Sequence, residues 1–395
     1  MYKIESLNDQ GLGVTHVDDK ITFVDNTVVG DIIKLEIIEE HKKYNIAKVR
    51  EYVSKSSKRV KEFCPYFNEC GGCNLQNLSY EDTLKYKQDK LKNILKKFAN
   101  IDTDIKIIPS ETIKNYRNKI TLKVMNSKIG FYKYNTNELI EINECFIAND
   151  SINELIKYLP KFNIKNGEVI IRCNYNQELL INILSDDKID IPKLNNLKIV
   201  GILQNNKLLS GEDHFMELIN NKFFQVSYDS FFQVNRNICS KIFKYIEDNI
   251  LKNKNVLDLY SGVGTLGINV ANISKNVYGI ECIENAVLNS ITNSKINKVN
   301  NTKYMLGDAS KIISKINDKI DVVIVDPPRS GITKEEIDTI LKLNIEQIIY
   351  VSCDPITLAR DLKLLNNNYI IDDIKGLDMF PYTYHIETIC FLKQK

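Results

Sequence analysis

A chain of 395 residues, with 43% hydrophobic and 26% charged residues, is long enough for two or three globular domains, each with its own core. Its formal net charge of +2 excludes a global field that would mark a polyanionic partner, but leaves room for a local basic patch. No apolar run approaches the ~20 residues that span a bilayer, and the opening MYKIESLNDQ lacks a signal-peptide core, so a cytoplasmic monomer with no membrane partner is expected.

Residues 1–55 alternate short apolar runs, Ile21–Val24, Ile32–Ile38 and Ile46–Val53, with turn residues. Close-spaced short strands predict a small closed β-barrel of the oligonucleotide-binding kind, with a generic β-domain as the alternative. Residues 56–75 form a cysteine-rich loop, with Cys64, Cys70 and Cys73, after a basic stretch, SKSSKRVK, that begins at Ser54. In a reducing compartment such a cluster reads as metal ligation more readily than as disulfides. The next segment has apolar residues at 84, 91, 94, 95 and 98, which predicts an amphipathic helix with Ser79 as its N-cap. Its lysines read as a solvated face or as nucleic-acid contacts. Residues 105–230 alternate in the manner of a largely antiparallel sheet, and from 236 onward strands alternate with helices, which predicts an α/β unit with a mainly parallel, doubly covered sheet.

That last unit carries the chemistry. VLDLYSGVGTLG places Gly262, Gly264 and Gly267 between a buried strand and a helix, where open α/β sheets bind ligands. Later strands end in Glu281, suited to ribose hydroxyls, in Asp308, suited to an adenine amino group, and in Asp326-Pro327-Pro328. Asp258, at the end of the first strand, suits a ligand whose amino-acid end carries an ammonium. This series fits S-adenosylmethionine better than a nicotinamide cofactor. Cys353 follows another strand, IIYVSC, and faces the same crevice. Methyl transfer to an amine needs no thiol. Transfer to carbon 5 of uracil does, because addition of a thiolate to carbon 6 makes carbon 5 nucleophilic, and a base must then remove the hydrogen left there. Glu387, in YTYHIETICFL, is the candidate base, and alternation places His385 on the same face. An amino-methyltransferase is the first rival, since Asp326-Pro-Pro occurs in that class, but Arg329 follows where an aromatic residue is wanted and Cys353 has no use there. A non-catalytic RNA-binding factor is the second, and it explains neither Cys353 nor Glu387.

FFQVN, LDLYSGVGTLG, DPPRSG, VSCDPITLARDL and HIET together resemble the motifs of the RNA uracil-5-methyltransferase family over nearly the whole chain. The resemblance implies Cys353 as catalytic thiol and Glu387 as proton acceptor. It implies Gln233, Tyr260, Glu281 and Asp326 as cofactor contacts, joined by Gly262 and Gly264 of the glycine loop and by Thr265 and Asp308 at more variable positions. It places Phe231 and Asp326 beside a flipped target base.

CPYFNECGGC has three cysteines, and Cys145 is the best candidate for a fourth ligand; four thiolates hold zinc or an iron–sulfur cluster, and spacing does not choose. The ribosomal-RNA branch of the family has this pattern, so the resemblance implies a 4Fe-4S cluster on Cys64, Cys70, Cys73 and Cys145. Residues 1–55 resemble the TRAM domain, with Phe23, Lys42, Lys43, Tyr44 and Arg50 available to RNA; Arg117 and Lys119 are further candidate contacts. The expected organisation is an RNA-binding barrel (1–55), a central iron–sulfur and RNA-binding domain (56–230) whose helix 79–98 packs on the third part, and a Rossmann-like methyltransferase domain (231–395). The expected substrate is 23S ribosomal RNA, with transfer RNA second.

Overall fold

The computed structural model describes residues 1–395 apart from the side chain of Ser314. Three large sheets and one hairpin account for the strands. The first sheet has six strands in the order Tyr2–Lys3, Ile32–Glu40, Tyr44–Ser54, Lys20–Val24, Gly13–Val17, Ser6–Leu7. Its two edges belong to one stretch of chain: Tyr2 and Lys3 pair with Ile33 and Ile32, while Ser6 and Leu7 pair with Val14 and Gly13. The sheet therefore closes on itself around Ile4, Val24, Ile33 and Ala47, which removes the open edges that invite aggregation.

The second sheet, of seven strands, runs from Leu139–Glu141 through Lys119–Met125 and Gly167–Cys173 to Lys207–Gly211. It is antiparallel as the alternation predicts, except that Glu178–Leu184 and Lys198–Gln204 run parallel. In Lys119–Met125 the buried residues Ile120, Leu122 and Val124 face a core shared with the helix Asp150–Ile156, and Lys119, Thr121 and Lys123 face the other way.

The third sheet has eight strands in the order Thr302–Leu306, Asn276–Glu281, Asn255–Leu259, Val322–Val325, Gln347–Ser352, Glu387–Gln394, Tyr369–Leu377, Lys106–Ile108. The first five are parallel, and buried β-branched runs such as Val322–Val325 explain why: both faces are covered. The order reverses at Asn255–Leu259, so the crevice lies at the ends of that strand and of Val322–Val325. Glu387–Gln394 is antiparallel to its neighbour Gln347–Ser352, which brings its first residue to the same carboxyl edge.

Two segments from the early chain belong to this third unit. Lys106–Ile108 adds its outermost strand. The helix Tyr80–Ile94, capped by Ser79 on the Asp82 amide, buries Leu91 and Ile94 in the core beneath the parallel strands. Lys87 departs from the solvated face expected of its lysines: it is fully buried and ion-paired with Asp378 at 2.5 Å. No helix is long and apolar enough to cross a membrane.

Candidate active site

The loop after Asn255–Leu259 turns on three alternate left-handed residues, Tyr260, Gly262 and Gly264, at φ of 61°, 52° and 82°. The two glycines serve different ends. A side chain on Gly262 would meet nothing within 4 Å, so its backbone faces open space where a ligand can approach; a Cβ on Gly264 would lie 2.8 Å from the Tyr304 hydroxyl, so that position is small for packing. Glu281, at the end of the neighbouring strand, accepts from the amides of Gly262 (3.0 Å), Cys282 (2.8 Å) and Ile283 (2.9 Å). Its carboxylate thus fastens the loop to the second strand. Tyr260 donates its hydroxyl to Glu336 at 2.6 Å, and burial together with Glu336 raises that phenol well above its ordinary range. Glu336 escaped the sequence reading, although Thr333 and Glu336 form a readable capping box.

Phe231, Gln233, Tyr260, Gly262, Thr265 and Asp326 line one narrow cavity at the switch point. Asp258, in the strand leading into the loop, accepts from the Gly267 amide at 2.9 Å while its other oxygen is buried without a partner. Burial pushes Asp258 up to about 8. These features suit a ligand that brings a positive charge and hydrogen-bond donors. Asp308 stands apart: it is exposed, caps the short helix Ala309–Ile312 through the Ser310 amide, and bonds to Ser310 hold it below the usual carboxylate range. Its link to the site is through the strand edge, where the Gly307 amide bonds to the Glu281 carbonyl at 2.9 Å.

Cys353 follows Gln347–Ser352 and precedes the helix Pro355–Leu365, whose first amides are capped by Asp354. Ser352 pairs with Thr388 across the antiparallel ladder. That is the last pair of the ladder; Cys353 follows Ser352 and Glu387 precedes Thr388, and the Glu387 carboxyl lies close enough to act on the thiol. Glu387 is 2% exposed and its Oε1 has no hydrogen-bond partner. Burial first, then Asp326, raises its carboxyl well above the ordinary range, against the pull of Arg329. Burial, Glu387 and Asp326 push the Cys353 thiol up to about 11, again opposed by Arg329. Burial pushes Asp326 up to about 7. The thiol and two carboxyls therefore share one field. Cys353 also lines a cavity of 450 Å³ with Arg329, Lys90 and His385, and with Asn8 to Gln10 and Phe23 of the first sheet. His385 precedes the regular strand, so the expected alternation does not reach it; burial and nearby cations lower its ring to about 4 and keep it neutral.

Cys64, Cys70, Cys73 and Cys145 line a third cavity, of 730 Å³, with Arg117, Lys119 and Phe231. All four are free thiols, and burial raises each, Cys70 to about 11. No three His, Cys, Asp or Glu side chains among the described residues are placed to hold a metal ion. Of the barrel candidates, Lys42, Lys43, Tyr44 and Arg50 are exposed, and Phe23 is half-buried against Tyr44.

Residues 79–395 match the tRNA (Uracil-5-)-methyltransferase family. An uncharacterized RNA methyltransferase of Clostridium acetobutylicum is 32% identical over 99% of this chain and 96% of its own. Another, of Caldanaerobacter subterraneus subsp. tengcongensis, is 34% identical over 99% and 97%. The crystal structure of the Pyrococcus abyssi tRNA (uracil-54, C5)-methyltransferase in complex with S-adenosyl-L-homocysteine is similar with a TM-score of 0.83 and 28% identity, covering 99% of this chain and 100% of that one. A glycine loop open to a cofactor, a thiol and buried carboxyls at one sheet edge and a match over most of the chain converge: this protein belongs to the tRNA (uracil-5-)-methyltransferase family and is an S-adenosylmethionine-dependent RNA methyltransferase.

Proposed function

We propose that the protein methylates carbon 5 of a uridine in RNA through a covalent adduct on Cys353. The observation that carries this reading is that Cys353 and Glu387 flank Ser352–Thr388, the last pair of the antiparallel ladder, with the Glu387 carboxyl acting on the thiol. S-adenosylmethionine, when bound, supplies an electrophilic methyl group on a positively charged sulfur. Gly262 would give it room, Tyr260, Gln233 and Thr265 would line its cavity, and Glu281 would meet it from the end of the neighbouring strand, with Asp308 farther out along the same edge.

The target uridine is unstacked, because a thiol cannot reach carbon 6 inside a helix. Phe231, 62% exposed where the cofactor cavity meets the cavity of Cys64, Cys70, Cys73 and Cys145, supplies an aromatic face for the flipped base. Arg329 and the start of the helix Pro355–Leu365 favour the Cys353 thiolate. Its sulfur would bond to carbon 6, and the electron pair displaced to carbon 5 would take the methyl group, whose bond to the donor's sulfur breaks with its electron pair left on that sulfur. Glu387, in the carboxylate form that Arg329 favours against its burial, removes the remaining hydrogen from carbon 5; the pair in that bond restores the ring double bond and expels the Cys353 thiolate. A high-affinity proton acceptor suits this step, and burial gives Glu387 that character. A positive charge in the cofactor cavity favours the Asp326 carboxylate, whose own field spans both Cys353 and Glu387.

The four clustered cysteines are read as ligands of a 4Fe-4S cluster. Four thiols around one cavity support a four-thiolate site, and the resemblance to the ribosomal-RNA branch of the family is what favours the iron–sulfur cluster over zinc. The closed N-terminal sheet is read as a TRAM-type RNA-binding barrel. With the cysteine pattern it favours 23S ribosomal RNA as substrate; the likeness to the Pyrococcus abyssi enzyme favours a second reading, uridine 54 of transfer RNA.

RNA carrying 5-fluorouridine tests the mechanism, since fluorine in place of the hydrogen blocks the last step. Wild-type protein is expected to form a stable protein–RNA adduct with 23S rRNA transcript, and Cys353→Ala none with cofactor binding retained. Glu387→Gln is expected to stall as an adduct on ordinary uridine. Adduct formation by Cys353→Ala overturns the reading, and preference for the tRNA transcript selects the second substrate. Cys70→Ser is expected to bleach the brown absorbance of anaerobically purified protein; an unchanged spectrum removes Cys70 as a ligand.

A further inference from the structure

On the face of the second sheet turned away from its core, the strands Lys119–Met125 and Gly167–Cys173 pair Lys123 with Glu168, Thr121 with Ile170, and Lys119 with Arg172. At one end of this row the charges cancel, because Lys123 and Glu168 form an ion pair. At the other end two cations lie opposite each other, and Arg117 joins them, its Nε donating to the Lys119 carbonyl at 2.9 Å. Among the described residues no carboxylate lies within ion-pair distance of Arg117, Lys119 or Arg172, whereas Lys123, Lys133 and Lys157 of the same region are all paired. Arg172 is only 5% exposed, and its Nε has no hydrogen-bond partner. The acid whose field reaches it is Asp229, whose carboxylate already accepts from Asn285 Nδ2 at 2.8 Å. Burial, Arg172 and Arg117 together push Lys119 down to about 8.

Unpaired like charges in a half-buried row destabilise a fold, so their presence asks for an anion; the field of Arg117 reaches Cys145, but the groups acting on Lys119 and Arg172 include no cysteine. Their position says which one. Arg117 and Lys119 line the 730 Å³ cavity together with Phe231, Phe232 and Val234. Asn118, between them, donates to the Gln233 carbonyl at 3.1 Å, and its amide to the Val234 carbonyl at 3.0 Å. The cations are thus stitched to the segment that also lines the cofactor cavity. We infer that Arg172, Lys119 and Arg117 form a site for one backbone phosphodiester of the substrate RNA, next to the nucleotide presented at Phe231. The inference rests on the RNA-methylating function proposed above. The phosphate takes the place of the missing carboxylate, and the planar guanidinium of Arg172 donates to it.

The test uses full-length cluster-containing protein and unmodified transcripts of 23S rRNA and tRNA, taking forward whichever is methylated. Lys119→Met is expected to raise the melting temperature of the free protein, because it relieves repulsion, while lowering RNA affinity about tenfold and the slope of log affinity against log salt by about one. Lys119→Arg is expected to keep both slope and affinity, and S-adenosylmethionine binding stays unchanged in each variant. Arg172→Met is expected to reduce the slope likewise, and Lys119→Met decides the matter if that variant does not fold. Superimposable salt slopes for wild type and Lys119→Met overturn the inference. So does a lowered melting temperature with unchanged RNA binding, which marks a structural role. A melting temperature raised by millimolar inorganic phosphate in wild type only, with unchanged RNA slopes, assigns the site to the free anion and overturns it too. If neither transcript is bound or methylated by wild type, the RNA reading fails first and the inference with it.

Discussion

At the residue scale, the site is governed by what burial does to acids. Asp258, Asp326 and Glu387 are all raised, the first two to about 8 and about 7, chiefly by loss of solvent. In the unfolded chain an aspartate titrates at about 4. Between those values the folded protein holds protons that the unfolded chain has released, so stability falls as pH rises from about 4 to about 8. The melting temperature of the free protein is expected to drop between pH 5 and pH 8. Asp258→Asn keeps an acceptor for the Gly267 amide and removes the titration, so its melting curve should depend less on pH over that window. An unchanged slope would mean that Asp258 is ionised in the fold. The proximity of a positively charged ligand reverses the same effect, which is one physical reason to bury acids beside a sulfonium site.

At the element scale, the helix Tyr80–Ile94 shows how an early segment becomes part of a late domain. Lys87 on this helix pairs with Asp378, and also donates to the Phe380 carbonyl at 2.9 Å. Tyr80 donates to the other oxygen of Asp378 at 2.8 Å, and Lys90 to the Tyr384 carbonyl at 2.9 Å. Three side chains of one helix therefore hold residues 378–384, the segment that leads into His385 and Glu387. Removing one partner of a fully buried pair leaves the other uncompensated, at a cost of about 3–5 kcal/mol. Lys87→Met is expected to destabilise the protein by about that much in urea titration and, at permissive temperature, to slow methyl transfer with cofactor affinity retained. A loss within the error of the titration would show that Tyr80 alone satisfies Asp378. The amphipathic period of this helix was visible in Leu91, Ile94 and Leu95. Its buried lysines were not, because a lysine enters a core only where a distant carboxylate and carbonyls wait for it.

At the scale of the whole molecule, the Cys353 cavity is walled by two sheets. Asn8 to Gln10 and Phe23 come from the closed N-terminal sheet, Arg329 and His385 from the α/β unit, and Lys90 from the helix between them. An RNA that fills this cavity would meet residues of both sheets together with the thiol. Phe23→Ala is therefore expected to lower kcat/KM for RNA by about tenfold, on the scale of one lost base-stacking contact, while leaving the S-adenosylmethionine Kd unchanged. Equal kcat/KM in the variant would assign the N-terminal sheet to binding distant parts of the RNA only.

The sequence by itself determined the local pieces. Period-two alternation and β-branched runs placed the strands, glycines after an apolar strand placed the ligand loop, and Ser79 marked a helix start. It also set the order of chemical groups, Glu281, Asp326, Cys353 and Glu387, because each ends, opens or directly follows a strand. Only the tertiary structure decided which of these meet. Antiparallel insertion of the last strand beside Gln347–Ser352 brings Glu387 next to Cys353, and no local propensity encodes that pairing. Nor does any local pattern place Lys106–Ile108 at the edge of a sheet whose other strands begin at residue 255, or distinguish the open Gly262 from the crowded Gly264. Those outcomes depend on contacts between residues far apart in the chain, where burial, not sequence spacing, sets the energy.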